Sequence, residues 1–181
     1  MILKKISKRS FFRLYSLFIV LFLGIIFSIG VNMNSVSSND DINQNTLFLE
    51  LKDGIVTIEM LPEIAPKHVQ RIKELVRSGF YDGLFFHRVI DGFMAQTGDP
   101  KGDGTGGSGK NLEAEFSDEP HVRGILSMAR AQDPNSADSQ FFIVFQDSNW
   151  LDGQYTVWGR VTEGMEFVDL IKRGDGQNGQ V

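Results

Sequence analysis

At 181 residues, with 41% hydrophobic content and 15 phenylalanines, the chain has enough apolar material for one domain with its own core plus a short appendage. Cysteine is absent, which excludes a disulfide framework and thiolate chemistry. The net charge is -5, yet residues 1–30 hold five basic and no acidic residues, leaving 13 basic against 23 acidic residues, or -10, in the remainder. So acidic a body argues against nucleic acid as a partner, because phosphate attraction supplies most non-specific affinity.

The N-terminal segment reads as a targeting signal. Lys4, Lys5, Lys8, Arg9 and Arg13 precede an uncharged run from Leu14 to Val31, and the next charged residue is Asp40. A basic stretch followed by an apolar one describes either a cleaved signal peptide, with Ser28 and Gly30 as small residues near a cleavage point, or an uncleaved anchor. The apolar run is slightly short of the ~20 residues that a spanning helix needs. Residues 1–30 are therefore expected to be a signal or membrane anchor, with the body exported to the periplasm or an equivalent compartment. Residues 31–45, rich in Asn, Ser and Asp, read as a flexible linker, and the folded domain is expected over 46–181.

Strand signals dominate the body. Thr46 to Leu51 and Gly54 to Met60 alternate around Lys52-Asp53-Gly54, a hairpin signature. Pro66 opens a helix to Arg77 that carries Val69, Ile72, Leu75 and Val76 on one face, and Gly79 follows its end. Further strands are predicted at Phe85–Ile90, Phe93–Gln96, Gly124–Met128, Phe141–Phe145 and Tyr155–Val161, and a second helix at Gly164–Arg173. Many short strands, glycine turns and two helices suggest a closed sheet.

Three segments carry the chemistry: Phe85 to Asp99 (FFHRVIDGFMAQTGD), Gly124 to Phe145 (GILSMARAQDPNSADSQFFIVF) and Trp150 to Gly159 (WLDGQYTVWG). In the first, Arg88 is a lone cation among aromatic and aliphatic residues. Such a group costs desolvation unless something partners it, so it is either a satisfied structural arginine or one kept to act on a ligand. Taken singly, Phe93, Met94 and Phe142 read as ordinary core. Phe85, Phe86, Phe141, Ile143 and Phe145 are assigned to the core. His68, His87 and His121 are scattered, with no carboxylate or cysteine at ligand spacing, so no metal or cofactor is implied. Ser127, Ser136 and Ser139 have no histidine beside them in these segments, which argues against a serine hydrolase. Gly102 to Lys110 (GDGTGGSGK) lacks the Lys-Ser/Thr ending of a phosphate loop and reads as a flexible surface loop.

The three segments together resemble the cyclophilins, the cyclosporin-binding peptidyl-prolyl cis-trans isomerases, from about Thr46 to the C-terminus. The resemblance implies a mainly β fold, an eight-stranded closed antiparallel β-barrel capped by two α-helices. It also implies an active site at Arg88, Phe93, Met94, Gln96, Ala129, Arg130, Gln140, Phe142, Trp150, Leu151 and Tyr155. Two positions depart from the best-known eukaryotic pattern: Arg130 stands where asparagine is usual and Tyr155 where histidine is usual. Asp91 and the glycine-rich loop look bacterial. The family continues past its last helix into a strand that pairs with the first. Here a Gly/Gln/Asn run ends at Val181, so that last strand is expected to be missing and closure of the barrel is in doubt.

The implied reaction needs no nucleophile. An X-Pro amide resists rotation by ~18–20 kcal/mol because of resonance, although its cis and trans forms differ little in energy. A catalyst need only favour the twisted state, in which the nitrogen is pyramidal and its lone pair accepts a hydrogen bond. On this reading Arg88 is the donor and Gln96 orients it. Phe93, Met94, Phe142, Leu151 and Tyr155 grip the proline ring, and the resemblance implies that Trp150 serves mainly to hydrogen-bond cyclosporin. The main chain at Ala129 and Arg130, with Gln140, holds the flanking peptide as an added strand. The expected partners are proline-containing polypeptide segments, and cyclosporin affinity is expected to be weakened by Arg130 and Tyr155. No cofactor and no nucleic acid are expected, membrane contact is expected only through the N-terminal segment, and the body is expected to be monomeric. The alternatives are a non-catalytic proline-peptide-binding chaperone or scaffold module, and a secreted structural domain.

Overall fold

A computed structural model of the chain describes residues 44–176 and 179–181. The expected signal or anchor, and the linker up to residue 43, lie outside the described residues.

The body is built on a seven-stranded antiparallel sheet: β1 (Thr46–Glu50), β2 (Ile55–Met60), β3 (Arg88–Ile90), β4 (Met94–Thr97), β5 (Ile125–Met128), β6 (Phe141–Val144) and β7 (Val157–Glu163). Their spatial order is β1-β2-β7-β5-β6-β4-β3. Among the described residues of the body the α-helices are α1 (Pro66–Arg77) and α2 (Met165–Asp169). The hairpin signal between β1 and β2 forms as expected, with Glu50 opposite Ile55 and the Leu51 N–H on the Gly54 carbonyl at 2.9 Å.

Two of the expected elements are shorter than predicted. Phe85 to His87 precede β3 as irregular chain. The Thr97 hydroxyl takes the Phe85 carbonyl at 2.8 Å, so that carbonyl is satisfied without a strand partner. The second helix ends at Asp169 rather than Arg173. Its exit tightens, with the N–H groups of Leu170 and Ile171 bonding three residues back to Phe167 and Val168.

Strand alternation separates two apolar clusters. Val89, Ala95, Leu126, Met128, Phe141, Ile143 and Trp158 face inward with Val69, Ile72 and Leu75 of α1, forming the main core. Met94, Ile125, Phe142, Val144, Val157 and Leu151 form a second cluster. All four residues of β5 and of β6 are buried, because each strand is covered on both faces.

The sheet is open between β1 and β3 among the described residues, in place of the closed barrel that the resemblance implies. The C-terminal residues begin to extend it. Gly179 accepts the Val89 N–H at 2.6 Å and Val181 donates to the His87 carbonyl at 3.1 Å, so the outer side of β3 is held by the chain's last residues.

The N-terminus of α1 is capped from far away. Ala65 supplies no side-chain cap. Glu115 accepts the backbone N–H groups of Lys67 and His68, each at 3.1 Å, and the His68 Nδ1 lies 2.7 Å from the same carboxylate. At its other end the helix closes with Gly79 at φ 74°, whose N–H bonds Val76 while that of Phe80 bonds Leu75. His68 is fully buried; burial pushes its pKa below the ordinary 6.5, against the opposing pull of Glu115. Burial alone would raise Glu115, but the hydrogen bonds from His68 and the helix N–H groups outweigh it and hold the carboxyl below its usual value. The pair is therefore a neutral imidazole donating to a carboxylate.

This arrangement predicts a pH dependence. His68, and His87 whose pKa burial also lowers, are neutral when folded but take up protons below 6.5 when unfolded. Below that pH the unfolded chain binds more protons, so stability falls as pH drops. Urea denaturation between pH 7 and pH 5 (about the histidine range) is expected to show this decline, and to show a shallower one in His68→Gln. An equal slope in the variant would mean that His68 is already protonated in the fold.

Candidate active site

The register of the sheet sets a row of side chains along the face that carries the second apolar cluster. Arg88 on β3 pairs with Gln96 on β4, Gln96 with Phe142 on β6, and Phe142 with Ser127 on β5. Because side chains alternate, their neighbours Val89, Ala95, Ile143 and Leu126 all enter the main core instead. Met94, two residues from Gln96, joins the site-side cluster and is almost fully buried.

The polar half of the row is a directional chain of hydrogen bonds. Arg88 Nη1 donates to Gln96 Oε1 at 3.2 Å. Gln96 Nε2 donates to Gln140 Oε1 at 2.8 Å. Gln140 Nε2 then donates to the carbonyls of Gly106 at 2.7 Å and Gly104 at 3.1 Å. Each amide presents its oxygen toward Arg88 and its NH2 group away from it. Burial lowers the pKa of Arg88, with Tyr155 opposing that shift; an arginine stays protonated at neutral pH regardless.

The glycine-rich loop is tied to the site by hydrogen bonds. Asp99 is almost fully buried and accepts the backbone N–H groups of Lys101 at 2.8 Å, Asp103 at 3.1 Å and Gly104 at 2.6 Å. Burial pushes the Asp99 pKa up, but these N–H groups and that of Gly106 outweigh it and hold the carboxylate below its usual range. The chain can wrap this tightly only without side chains: a Cβ at Gly106 would collide with the Asp99 carboxylate. The loop, with Gln96, Lys101, Arg130, Asp138 and Gln140, encloses a cleft of about 550 Å³ beside the polar chain.

The apolar half lies across the row. Phe142 and Leu151 are buried, Phe93 and Tyr155 half-buried, and Trp150 is 61% exposed at the rim. The Trp150 ring leans on Phe93 with centroids 5.6 Å apart, and Tyr155 meets Phe142 edge-on at 5.9 Å. Phe93, Met94, Phe142, Leu151 and Tyr155 belong to the second apolar cluster, on the sheet face that also carries Arg88.

Ala129 is placed as expected beside Gln140, but its N–H donates to the Gln140 carbonyl at 2.9 Å and is not available to a peptide. An added strand would therefore rely on the main chain of Arg130. The Arg130 side chain folds back over the site: its Cζ lies 4.6 Å from the Tyr155 ring centroid.

One constellation corrects the sequence reading. Ser127 does have a histidine: His121 Nε2 lies 3.0 Å from its Oγ, and His121 Nδ1 lies 2.8 Å from Asp152 Oδ1. These are the distances of a hydrolytic triad. Yet Ser127 and His121 are fully buried, and the serine hydroxyl donates to the Thr156 carbonyl at 2.9 Å. No substrate can reach the oxygen. The His121 ring instead stacks behind Phe142, centroids 6.4 Å apart. The serine segment lacks a histidine of its own, and the partner arrives from the loop before β5.

Comparison with known proteins identifies the family of the chain. Residues 46–181 match the family model for cyclophilin-type peptidyl-prolyl cis-trans isomerases. A protein of Brucella suis named a probable peptidyl-prolyl cis-trans isomerase is 57% identical over 151 residues, covering 76% of this chain and 77% of its own. Peptidyl-prolyl cis-trans isomerase B of Bacillus subtilis is 45% identical over 133 residues, covering 72% and 92%. Among solved structures, a Cryptosporidium parvum cyclophilin-type isomerase determined in the presence of the dipeptide Ala-Pro is 31% identical with a TM-score of 0.69, covering 75% of this chain and 90% of that one.

The amide chain is testable. Gln140→Leu leaves the Gln96 NH2 group without its acceptor, a loss of about 1–3 kcal/mol where the group stays dry. The expected result is a fall of about tenfold in kcat/KM on a proline peptide, the equivalent of ~1.4 kcal/mol. Unchanged kcat/KM would show that Gln96 holds Arg88 unaided.

Proposed function

Because the chain belongs to the cyclophilin-type peptidyl-prolyl cis-trans isomerases, we propose that it turns X-Pro bonds with Arg88 as the donor to the prolyl nitrogen in the twisted state. The observation that carries this is the pairing of Arg88 with the Gln96 carbonyl at 3.2 Å, on the sheet face that carries the second apolar cluster.

The chemistry follows from what that arrangement can stabilise. In the planar amide the nitrogen lone pair is delocalised and accepts little. Twisting the bond by a quarter turn localises it. A fixed, partly desolvated guanidinium then gains a charge-assisted hydrogen bond that neither ground state offers. Such a bond is worth about 1.5–3 kcal/mol, or about ten- to a hundredfold in rate. Gln96 takes one N–H of the guanidinium with a neutral carbonyl at 3.2 Å, which fixes the plane in which the group can donate. Phe93, Met94, Phe142, Leu151 and Tyr155 hold the proline ring still by close apolar contact while the acyl side of the bond rotates. The substrate class is a proline-containing polypeptide segment, a reading supported by the structural relative determined with Ala-Pro. Cyclosporin affinity is weakened by Arg130 and Tyr155.

The working compartment is outside the cytoplasm, supported by the basic run and the uncharged Leu14–Val31 stretch. There the enzyme assists folding of exported proteins, and membrane contact is confined to the N-terminal segment.

Arg88→Ala is expected to lower kcat/KM at least tenfold, with Arg88→Lys failing to restore it because an ammonium cannot both hold Gln96 and reach the nitrogen in one plane. A protease-coupled proline-peptide assay measures this, and wild-type activity in Arg88→Ala would overturn the mechanism. For the compartment, cell fractionation of the full chain is expected to recover it outside the cytoplasm, and removal of residues 1–30 to retain it inside. Cytoplasmic recovery of the full chain would reject export.

A further inference from the structure

Arg130 carries contacts that the isomerisation mechanism does not use. Its guanidinium joins two separate loops. Nη1 donates to the carbonyls of Ala131 at 2.9 Å and Gln132 at 3.2 Å, in the segment that follows β5. Nε and Nη2 donate to the Gln154 carbonyl at 3.2 and 3.0 Å, in the turn that leads to β7. The plane so fixed lies over Tyr155, with Cζ 4.6 Å from the ring centroid.

Below that ring the column continues. Tyr155 meets Phe142 edge-on at 5.9 Å and 78°, and Phe142 stacks on the buried His121 at 6.4 Å and 22°. Phe142 and His121 are fixed from beneath by the sheet and by Asp152 and Ser127. Tyr155 is not: it precedes β7, in an irregular segment outside the ladder. The contact that closes its outer face is the guanidinium.

We propose that Arg130 is a positioning residue that holds Tyr155 as the fixed outer wall of the proline cup, so that arginine and tyrosine act here as one unit. The inference rests on the isomerase reading above, since the cup it describes is the one assigned to the proline ring. It concerns the side chain of Arg130, which is separate from any strand pairing by its main chain. The requirement is for a guanidinium in particular. A flat, five-donor group can satisfy three carbonyls in its plane while its face covers a ring, and a lysine ammonium offers neither the plane nor the fork. A wall that is present before the substrate arrives affects binding of the ring in every state, so its loss raises KM more than it lowers kcat.

The test uses the full chain in four forms: wild type, Arg130→Ala, Tyr155→Leu and the double variant, with Arg130→Lys as the conservative control. The expected result is a fall of about fivefold in kcat/KM for Arg130→Ala, mostly through KM, with no recovery in Arg130→Lys. The double variant is expected to fall no further than Tyr155→Leu alone, because removing the ring removes the wall through which Arg130 acts on the substrate. In a sample labelled at tyrosine, the Tyr155 ring resonance, assigned by its loss in Tyr155→Leu, is expected to move in Arg130→Ala. Wild-type kinetics in Arg130→Lys, additive losses in the double variant, or an unmoved Tyr155 resonance would each overturn the proposal. An inactive wild type would overturn the isomerase reading instead, and the Tyr155 resonance would then decide this proposal alone.

Discussion

Arg88 and Gln96 sit directly opposite each other on adjacent strands, and the cross-strand bond between their side chains organises the site around it. A guanidinium half out of water must have its donors placed by something, or its conformational freedom cancels what it gains on a ligand. β3 and β4 supply that placement by register. A slip of one residue would send Arg88 into the main core and bring Val89 to the surface, so the same alternation that packs the interior also aims the cation. The second and third partners, Gln140 and the loop carbonyls, fix the orientation of Gln96 in turn.

That chain of amides ends on loop carbonyls, and a buried carboxylate holds the loop that presents them. Asp99 gathers the backbone of the glycine-rich loop, and the loop presents its carbonyls to Gln140. Burial of Asp99 is tolerated because several N–H groups converge on it, so the charge is spread over backbone dipoles instead of being left bare. The loop's composition follows from this geometry and does not signal looseness. Glycine permits the backbone to approach a buried oxygen where any Cβ would intrude.

Much of this was legible in the chain. The helix Pro66–Arg77 was bounded by proline and glycine, and the apolar spacing of its core face was visible. The strands were visible as short apolar runs, and the ordered segments around Arg88, Gln140 and Trp150 pointed to one family. What escaped were contacts between residues far apart in sequence. Glu115 caps the helix that contains His68, 47 residues earlier in the chain, and Asp152 meets a histidine 31 residues earlier. Local patterns carry propensity and periodicity, but a remote cap or a buried triad of polar groups leaves no period to detect. The strand predicted from Phe85 was too long for a related reason: its carbonyl is satisfied by a threonine hydroxyl from a neighbouring strand. The closed barrel was implied by the family, while the sheet among the described residues stays open between β1 and β3.

The cluster of Ser127, His121 and Asp152 shows how little distances alone say about reactivity. Covalent reagents that label serine hydrolases need an exposed oxygen with a place for the departing group, and here both are filled by protein. The three side chains instead back the apolar cluster. Ser127 and His121 are fully buried, and hydrogen bonds at both ring nitrogens fix the imidazole plane, where an aliphatic side chain could change rotamer at little cost. Phe142 thus stacks on a ring held in one orientation, and a wall held in one orientation can discriminate among ring shapes as well as hold them.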